Sequence, residues 1–219
     1  MRALVVHAHP VAASFNRALN ELVCATLEAR GHEVRNLDLY AENFMPVMSE
    51  AERLGYHDEG GNIAPVRAHL EQLAWCSGLV FVYPTWWYGQ PAILKGWLDR
   101  VFVPHVTFAM PVGNQPVRPL LQHIGCIGGV STYGAPWLWT RWVGDPGRRI
   151  LMRGVRALVH PRAKTFWAAH YQMDSSTPES RSAFMRQVVR KLEALPLEVP
   201  GEPLRMPLGE PRASAAADR

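Results

Sequence analysis

No run of apolar residues in this chain approaches the roughly 18–20 needed to cross a bilayer as a helix, so membrane insertion is not expected. No Cys-x-x-Cys pair occurs either. The three cysteines, Cys24, Cys76 and Cys126, are an odd and widely spaced set. They read as reduced thiols of a cytoplasmic protein rather than as a disulfide framework. The N-terminus enters a strand-like segment directly, without a signal-peptide pattern, which again favours the cytoplasm. Neither Gly-x-Gly-x-x-Gly nor a Gly-rich run ending in Gly-Lys-Ser/Thr is present. A dinucleotide-binding Rossmann unit and a P-loop nucleotidase are therefore unsupported. Internal repeats are absent. Charge is sparse, 19% of residues against 48% hydrophobic, so the chain can bury a sizeable core and is not a disordered protein. Its 219 residues suit one domain, or one domain with an excursion.

The net charge of +4 is a mild excess. Much of it lies in Arg141, Arg148, Arg149, Arg153, Arg156, Arg162 and Lys164. Such a face could attract phosphate, a nicotinamide dinucleotide or nucleic acid. A merely solvated face is the more economical reading, and nucleic acid is not the expected partner.

The chain is organised around residues 78–102. Leu79 to Tyr83 is a continuous apolar run, which suits a strand covered on both faces, and Pro84 is expected to end it. Thr85 to Gly89 follow as an aromatic loop, and Pro91 opens a helix through Phe102. Upstream, Arg2 to Ala8 reads as the first strand and Ser14 as the N-cap of the first helix. Glu33 to Leu39 reads as the second strand. Residues 40–62 lack periodicity and form an excursion, with a helical turn at Ser49 to Leu54; Ala64 to Trp75 is helical. Residues 103–119 are a proline-rich loop. Leu121 to Val130 reads as a fourth strand ending in the turn Ser131-Thr132-Tyr133-Gly134, and Ala163 to His170 as a fifth. A helix is expected over 148–158, and another, capped at Ser176, runs to about Leu195. Residues 196–219 read as a proline- and alanine-rich tail after a domain of residues 1–195. Strands alternating with helices predict an α/β fold, a flavodoxin-like doubly wound five-stranded parallel sheet of order 2-1-3-4-5. The loops 9–16 and 84–90 then meet at one crevice, where such sheets bind ligands.

Three candidate groups follow those strands. Ser14, the N–H groups of Phe15 and Asn16 and the positive helix end can hold a phosphate, with His9 as a further donor, although Ser14 is also an ordinary cap. The aromatic loop offers flat rings and backbone N–H groups to a planar ligand such as a flavin; simple packing of the loop is the alternative. Trp137, Trp139 and Tyr133 either wall an acceptor pocket or pack at a dimer interface. His7 and His9 form a His-x-His pair without an evident carboxylate or cysteine partner, so no metal is expected. Lys95 and Asp99 are an i,i+4 helix pair of structural kind.

His9, Ser14-Phe15-Asn16, the block from Pro84 and Thr85 through Trp86, Trp87, Tyr88 and Gly89 to Phe102, and Ser131 to Gly134 resemble the flavodoxin-like NAD(P)H:quinone oxidoreductases. The resemblance also extends to small oxidoreductases related to modulators of drug activity and to potassium-efflux ancillary subunits. It implies a tightly bound flavin, a homodimer, and ping-pong hydride transfer from NAD(P)H to quinones. By position it implies that His9 and Ser14 to Asn16 hold the flavin phosphate region. Pro84 to Gly89 would face the ring, with Trp87 along it, and Ser131 to Gly134 would close the pyrimidine side. Arg181 falls where FAD-binding members carry an arginine near the adenine, which favours FAD, with FMN as the alternative. Neither the tyrosine nor the histidine that the family carries after the fourth strand is matched: Trp139 stands near the tyrosine's place and no histidine follows. A flavoprotein regulatory subunit of a membrane transporter is the alternative function, and a basic nucleic-acid-binding module a more distant one.

Overall fold

A computed structural model describes residues 1–114 and 116–200 of the chain. Strands β1 (Arg2–His7), β2 (Glu33–Asp38), β3 (Gly78–Thr85), β6 (Cys126–Tyr133) and β7 (Lys164–His170) form one parallel sheet in the order β2-β1-β3-β6-β7. The expected doubly wound architecture is therefore present. Its order is the flavodoxin-like 2-1-3-4-5 once the short antiparallel ribbon β4 (Phe108–Ala109) and β5 (Arg118–Pro119) is set aside. That ribbon lies in the stretch read as an irregular loop.

Side-chain alternation along the strands builds two cores. Ala3, Val5, Val80, Val82 and Ala168 face one way, with Leu19, Val23 and Leu27 of α1 (Phe15–Ala29) and Phe184, Val188 and Leu192 of α7 (Pro178–Glu193). Leu4, Val6, Leu79, Phe81 and Ile127 face the other, with Leu70 and Leu73 of α3 (Arg67–Trp75) and Leu94 and Trp97 of α4 (Ala92–Val101). The excursion carries α2 (Glu50–Leu54), closed by a capping box between Ser49 and Glu52.

Several boundaries differ from the sequence reading. β3 runs through Pro84, because β1 pairs only as far as Val82. Alternation points position 84 toward the edge that β1 has left, so its missing N–H costs no ladder bond. The fourth sheet strand starts at Cys126 rather than Leu121. Leu121 and Ile124 are buried as part of a turn, with Leu121 N donating to Leu158 O at 3.1 Å. Ser131 to Tyr133 are accordingly strand residues and not a turn. The segment read as a helix over 148–158 begins earlier, as α6 (Pro146–Arg149), and continues through a wider turn at Ile150–Gly154 and a tighter one at Val155–Leu158. It follows α5 (Trp137–Val143), which the sequence reading left unassigned. α7 is capped by Thr177, whose Oγ1 accepts from Ser180 N at 3.2 Å, and not by Ser176. Of the expected tail, residues 201–219 lie outside the described residues. Val199 packs against the α1–α7 core, and the Met1 ammonium donates to Leu197 O at 2.8 Å.

Burial lowers the affinity of His7, His32, His69, His123 and His170 for a proton below the usual imidazole value. Each therefore stabilises the fold fully above the unfolded value of about 6.5, and loses that contribution as pH falls. The urea midpoint is expected to be lower at pH 5.0 than at pH 7.5. An equal or higher midpoint at pH 5.0 would contradict this account of the buried histidines.

Candidate functional site

Because every strand of the sheet is parallel, Ala8, Thr85, Tyr133 and His170 leave it along one edge. A hollow of about 280 Å3 opens there between β3 and β6, lined by Thr85, Trp87, Tyr88, Tyr133, Gly134 and Ala135. A roomier hollow of about 420 Å3 lies between the excursion and α4. Its charged groups, Arg100 and Glu52, are already paired with each other. The strand-end hollow is the better candidate for chemistry.

Residues 86–89 form a two-residue hairpin, with Trp86 N donating to Gly89 O at 3.2 Å and Gly89 N to Trp86 O at 3.0 Å. Both central residues are left-handed, Trp87 at φ 47° and Tyr88 at φ 61°. Glycine or asparagine normally fills such positions, and a bulky side chain there stores backbone strain. Trp87 is also 97% exposed, so packing within this chain does not hold it there. Tyr88 is clamped: its carbonyl accepts from Gly147 N at 3.1 Å and its hydroxyl accepts from Trp139 Nε1 at 2.7 Å. Gln90 Nε2 donates to Gly147 O at 2.7 Å. A side chain at position 147 would press on Gly89 and on the Tyr88 carbonyl, both 3.3 Å from its Cβ.

At the neighbouring loop, Ser14 caps α1, its Oγ accepting from Arg17 N at 3.1 Å. The N–H groups of Phe15 and Asn16 precede the first intrahelical bond, Ala18 N to Ser14 O, and the first turn contains no acidic residue. Asn16 is 3% exposed, and neither its Oδ1 nor its Nδ2 has a partner among the described residues. A buried amide left so is costly unless a bound group satisfies it. The Phe15 ring packs edge-on against His170, 5.9 Å between centroids, so only its backbone faces the loop. His9 accepts from Val11 N at 3.0 Å, and its ring lies 6.1 Å from that of Trp86, joining the two loops.

On the far side, Thr85 Oγ1 and Ser131 Oγ bond at 2.8 Å across β3 and β6. Thr132 and Pro84 are buried. Gly134 borders the hollow, where an added Cβ would crowd Asp174 Oδ2 at 3.1 Å. Tyr133 is 1% exposed and its hydroxyl donates to Asp145 Oδ1 at 3.1 Å. Burial first, and the Asp145 carboxylate second, raise its phenol well above the ordinary range. Tyr133 thus lines the hollow while almost wholly buried, its hydroxyl committed to Asp145. Trp139 is half-exposed at the rim and stacks on Trp142 at 4.7 Å. Arg181 stands apart at the start of α7, its Nε donating to Thr177 O at 3.4 Å.

Asp145, Gly147 and Gln90 are the site residues that the sequence reading missed. The Gly144-Asp145-Pro146-Gly147 run signals a turn, but nothing local says that it grips a loop 57 residues earlier. Leu138 and Trp142, 73% and 75% exposed, extend an apolar band beside the hollow with Trp137 and Trp139.

Residues 1–141 match a family model described as a flavodoxin-like fold. The rat NAD(P)H dehydrogenase (quinone) 1 is 37% identical to the chain over 118 residues, covering 47% of this chain and 43% of that protein. The chain thus spans about half the length of the curated relatives it matches. Among solved structures, Smu.1420 from Streptococcus mutans UA159 superposes with a TM-score of 0.79 at 26% identity, over 89% of this chain and 100% of that one. An NAD(P)H:quinone oxidoreductase from Methanothermobacter marburgensis shares the fold, with a TM-score of 0.72 at 24% identity over 88% and 95%.

Proposed function

The chain belongs to the flavodoxin-like fold family, and from that premise we propose that it is a flavin-dependent oxidoreductase. It carries two electrons from NAD(P)H to quinones or similar flat acceptors by a ping-pong mechanism, in the cytoplasm. The observation that carries this reading is the strained turn at Trp87 and Tyr88, with an almost fully exposed indole beside a hollow at the strand ends. Strain and exposure together suit a ring that waits for a planar ligand.

The residues present fit a flavin. The N–H groups of Phe15 and Asn16 at the Ser14 cap suit its phosphate, and the unpartnered Asn16 amide suits its polar chain. Trp87 and Tyr88 would present backbone N–H groups and an indole face to the ring, the Trp86 N–H being spent on Gly89 O, with Thr85 and Ser131 to Gly134 along its other side. When bound, the flavin supplies a two-electron carrier that accepts hydride from one substrate before the next enters. The protein's share is to orient that ring, to supply fixed hydrogen-bond donors and to exclude water. The choice of FAD rests on the resemblance at Arg181 alone, with FMN as the alternative. The apolar band of Trp137, Leu138, Trp139 and Trp142 is the face we assign to a homodimer contact, since monomers rarely leave so much contiguous apolar surface in water.

The test is anaerobic. Flavin-loaded protein is expected to bleach with NAD(P)H and to regain its colour with a quinone, and heat would release FAD. Protein that takes up flavin but stays yellow under NAD(P)H would overturn the enzymatic reading; released FMN would overturn only the choice of FAD.

A further inference from the structure

Few hydroxyl protons around the hollow are uncommitted. The bond between Thr85 and Ser131 occupies one of their two protons, and Tyr133 donates its own to Asp145. The Tyr88 phenol differs. Its oxygen accepts from Trp139 Nε1 at 2.7 Å, and no described residue receives its proton. An indole N–H is only ever a donor, so this contact fixes Tyr88 Oη as the acceptor and leaves its O–H to a group from outside the chain. Tyr88 is held at three points: the left-handed backbone, the Gly147 N–H on its carbonyl, and the Trp139 N–H on its hydroxyl. Holding a phenol against backbone strain is costly unless its position is used.

We propose that Tyr88 Oη donates the proton that completes reduction of the acceptor, and that Trp139 is its positioning residue. The proposal rests on the oxidoreductase reading above. One quinone carbonyl system takes up a hydride equivalent, two electrons and a proton, from the reduced cofactor, which is thereby oxidised. A second proton comes from Tyr88 Oη as its O–H bond breaks, giving the hydroquinone. The phenolate left on Tyr88 accepts from Trp139 Nε1, a bond that strengthens as the oxygen becomes negative. Water then returns the proton.

Tyr88→Phe and Trp139→Phe separate this role from packing. For each flavin-loaded protein, reoxidation is timed with a quinone and with ferricyanide, which takes electrons without a proton. Quinone affinity is read separately, from quenching of tryptophan fluorescence in oxidised protein without NAD(P)H. In Tyr88→Phe the quinone-to-ferricyanide rate ratio is expected to fall about 10²-fold, and quinone binding to weaken by about tenfold. Trp139→Phe should lower the ratio less, in the same direction. A ratio unchanged in Tyr88→Phe, with both acceptors slowed alike, assigns Tyr88 to structure and overturns the proposal. Wild-type protein that NAD(P)H does not reduce sinks the oxidoreductase reading itself, and the proposal with it.

Discussion

Replacing Trp87 with glycine is expected to make the protein more resistant to heat while stripping it of flavin. The two effects have separate origins. A bulky L-residue in the left-handed region costs about 1–2 kcal/mol, and Trp87 sits there at φ 47°. Glycine removes that cost and gives back about 0.4–1 kcal/mol through the entropy of the unfolded chain. Little packing is lost, because the indole is 97% exposed. The balance, near 1 kcal/mol in favour of the variant, corresponds to a Tm roughly 2–4 °C higher for a domain of this size. Flavin binding moves the other way. Stacking of an aromatic side chain on a flat heterocycle is worth about 1–3 kcal/mol, so the flavin Kd should rise roughly 10- to 100-fold. Trp87→Ala keeps the unfavourable φ and loses the ring, so it should weaken flavin binding without the gain in Tm. Differential scanning calorimetry of flavin-free protein and a fluorescence titration check the pair of results. A lower Tm for Trp87→Gly would mean that the turn is not strained, and unchanged flavin affinity would remove Trp87 from the site.

Gly96→Ala is expected to destabilise the protein, against what helix propensity alone predicts. Alanine inside a helix is favoured over glycine by about 1 kcal/mol, and Gly96 lies in the middle of α4. A Cβ at this position, however, would sit 2.5 Å from Pro46 Cα and closer still to the Pro46 carbonyl. Those are backbone atoms, which cannot swing aside as a side chain can. Arg100, one turn later, ties the same segment down through Glu52 and the Met45 carbonyl. Overpacking of this kind costs typically about 1–3 kcal/mol, occasionally more, and the rigid neighbour places Gly96 at the upper end. The net loss is near 2 kcal/mol, or about 4–8 °C in Tm. Urea denaturation decides the sign. A stabilised Gly96→Ala would show that the excursion does not rest on α4.

The strand–loop–helix at 78–102 was readable from local chemistry, since an apolar run, Pro91 and a helical stripe specify their own geometry. Pro84 misled because its cost depends on whether a neighbouring strand is still present, and β1 has already ended there. Tyr133 lines the hollow, but three more residues of strand bury its side chain, and its hydroxyl donates to Asp145. The clamp of Gly147 and Trp139 on Tyr88 joins elements far apart in sequence, and no local pattern encodes it. Ser14 reads alike as a plain cap or as a phosphate site. The unpartnered Asn16 amide, visible only in three dimensions, is the observation that supports the second.

The central claim is that the carboxyl edge of the sheet binds a flavin. It is tested most directly by equilibrating purified protein with excess flavin, removing the unbound excess and recording the visible spectrum. The account predicts a yellow protein with about one flavin per chain, and a lower content in Trp87→Gly. A colourless wild-type protein would contradict it.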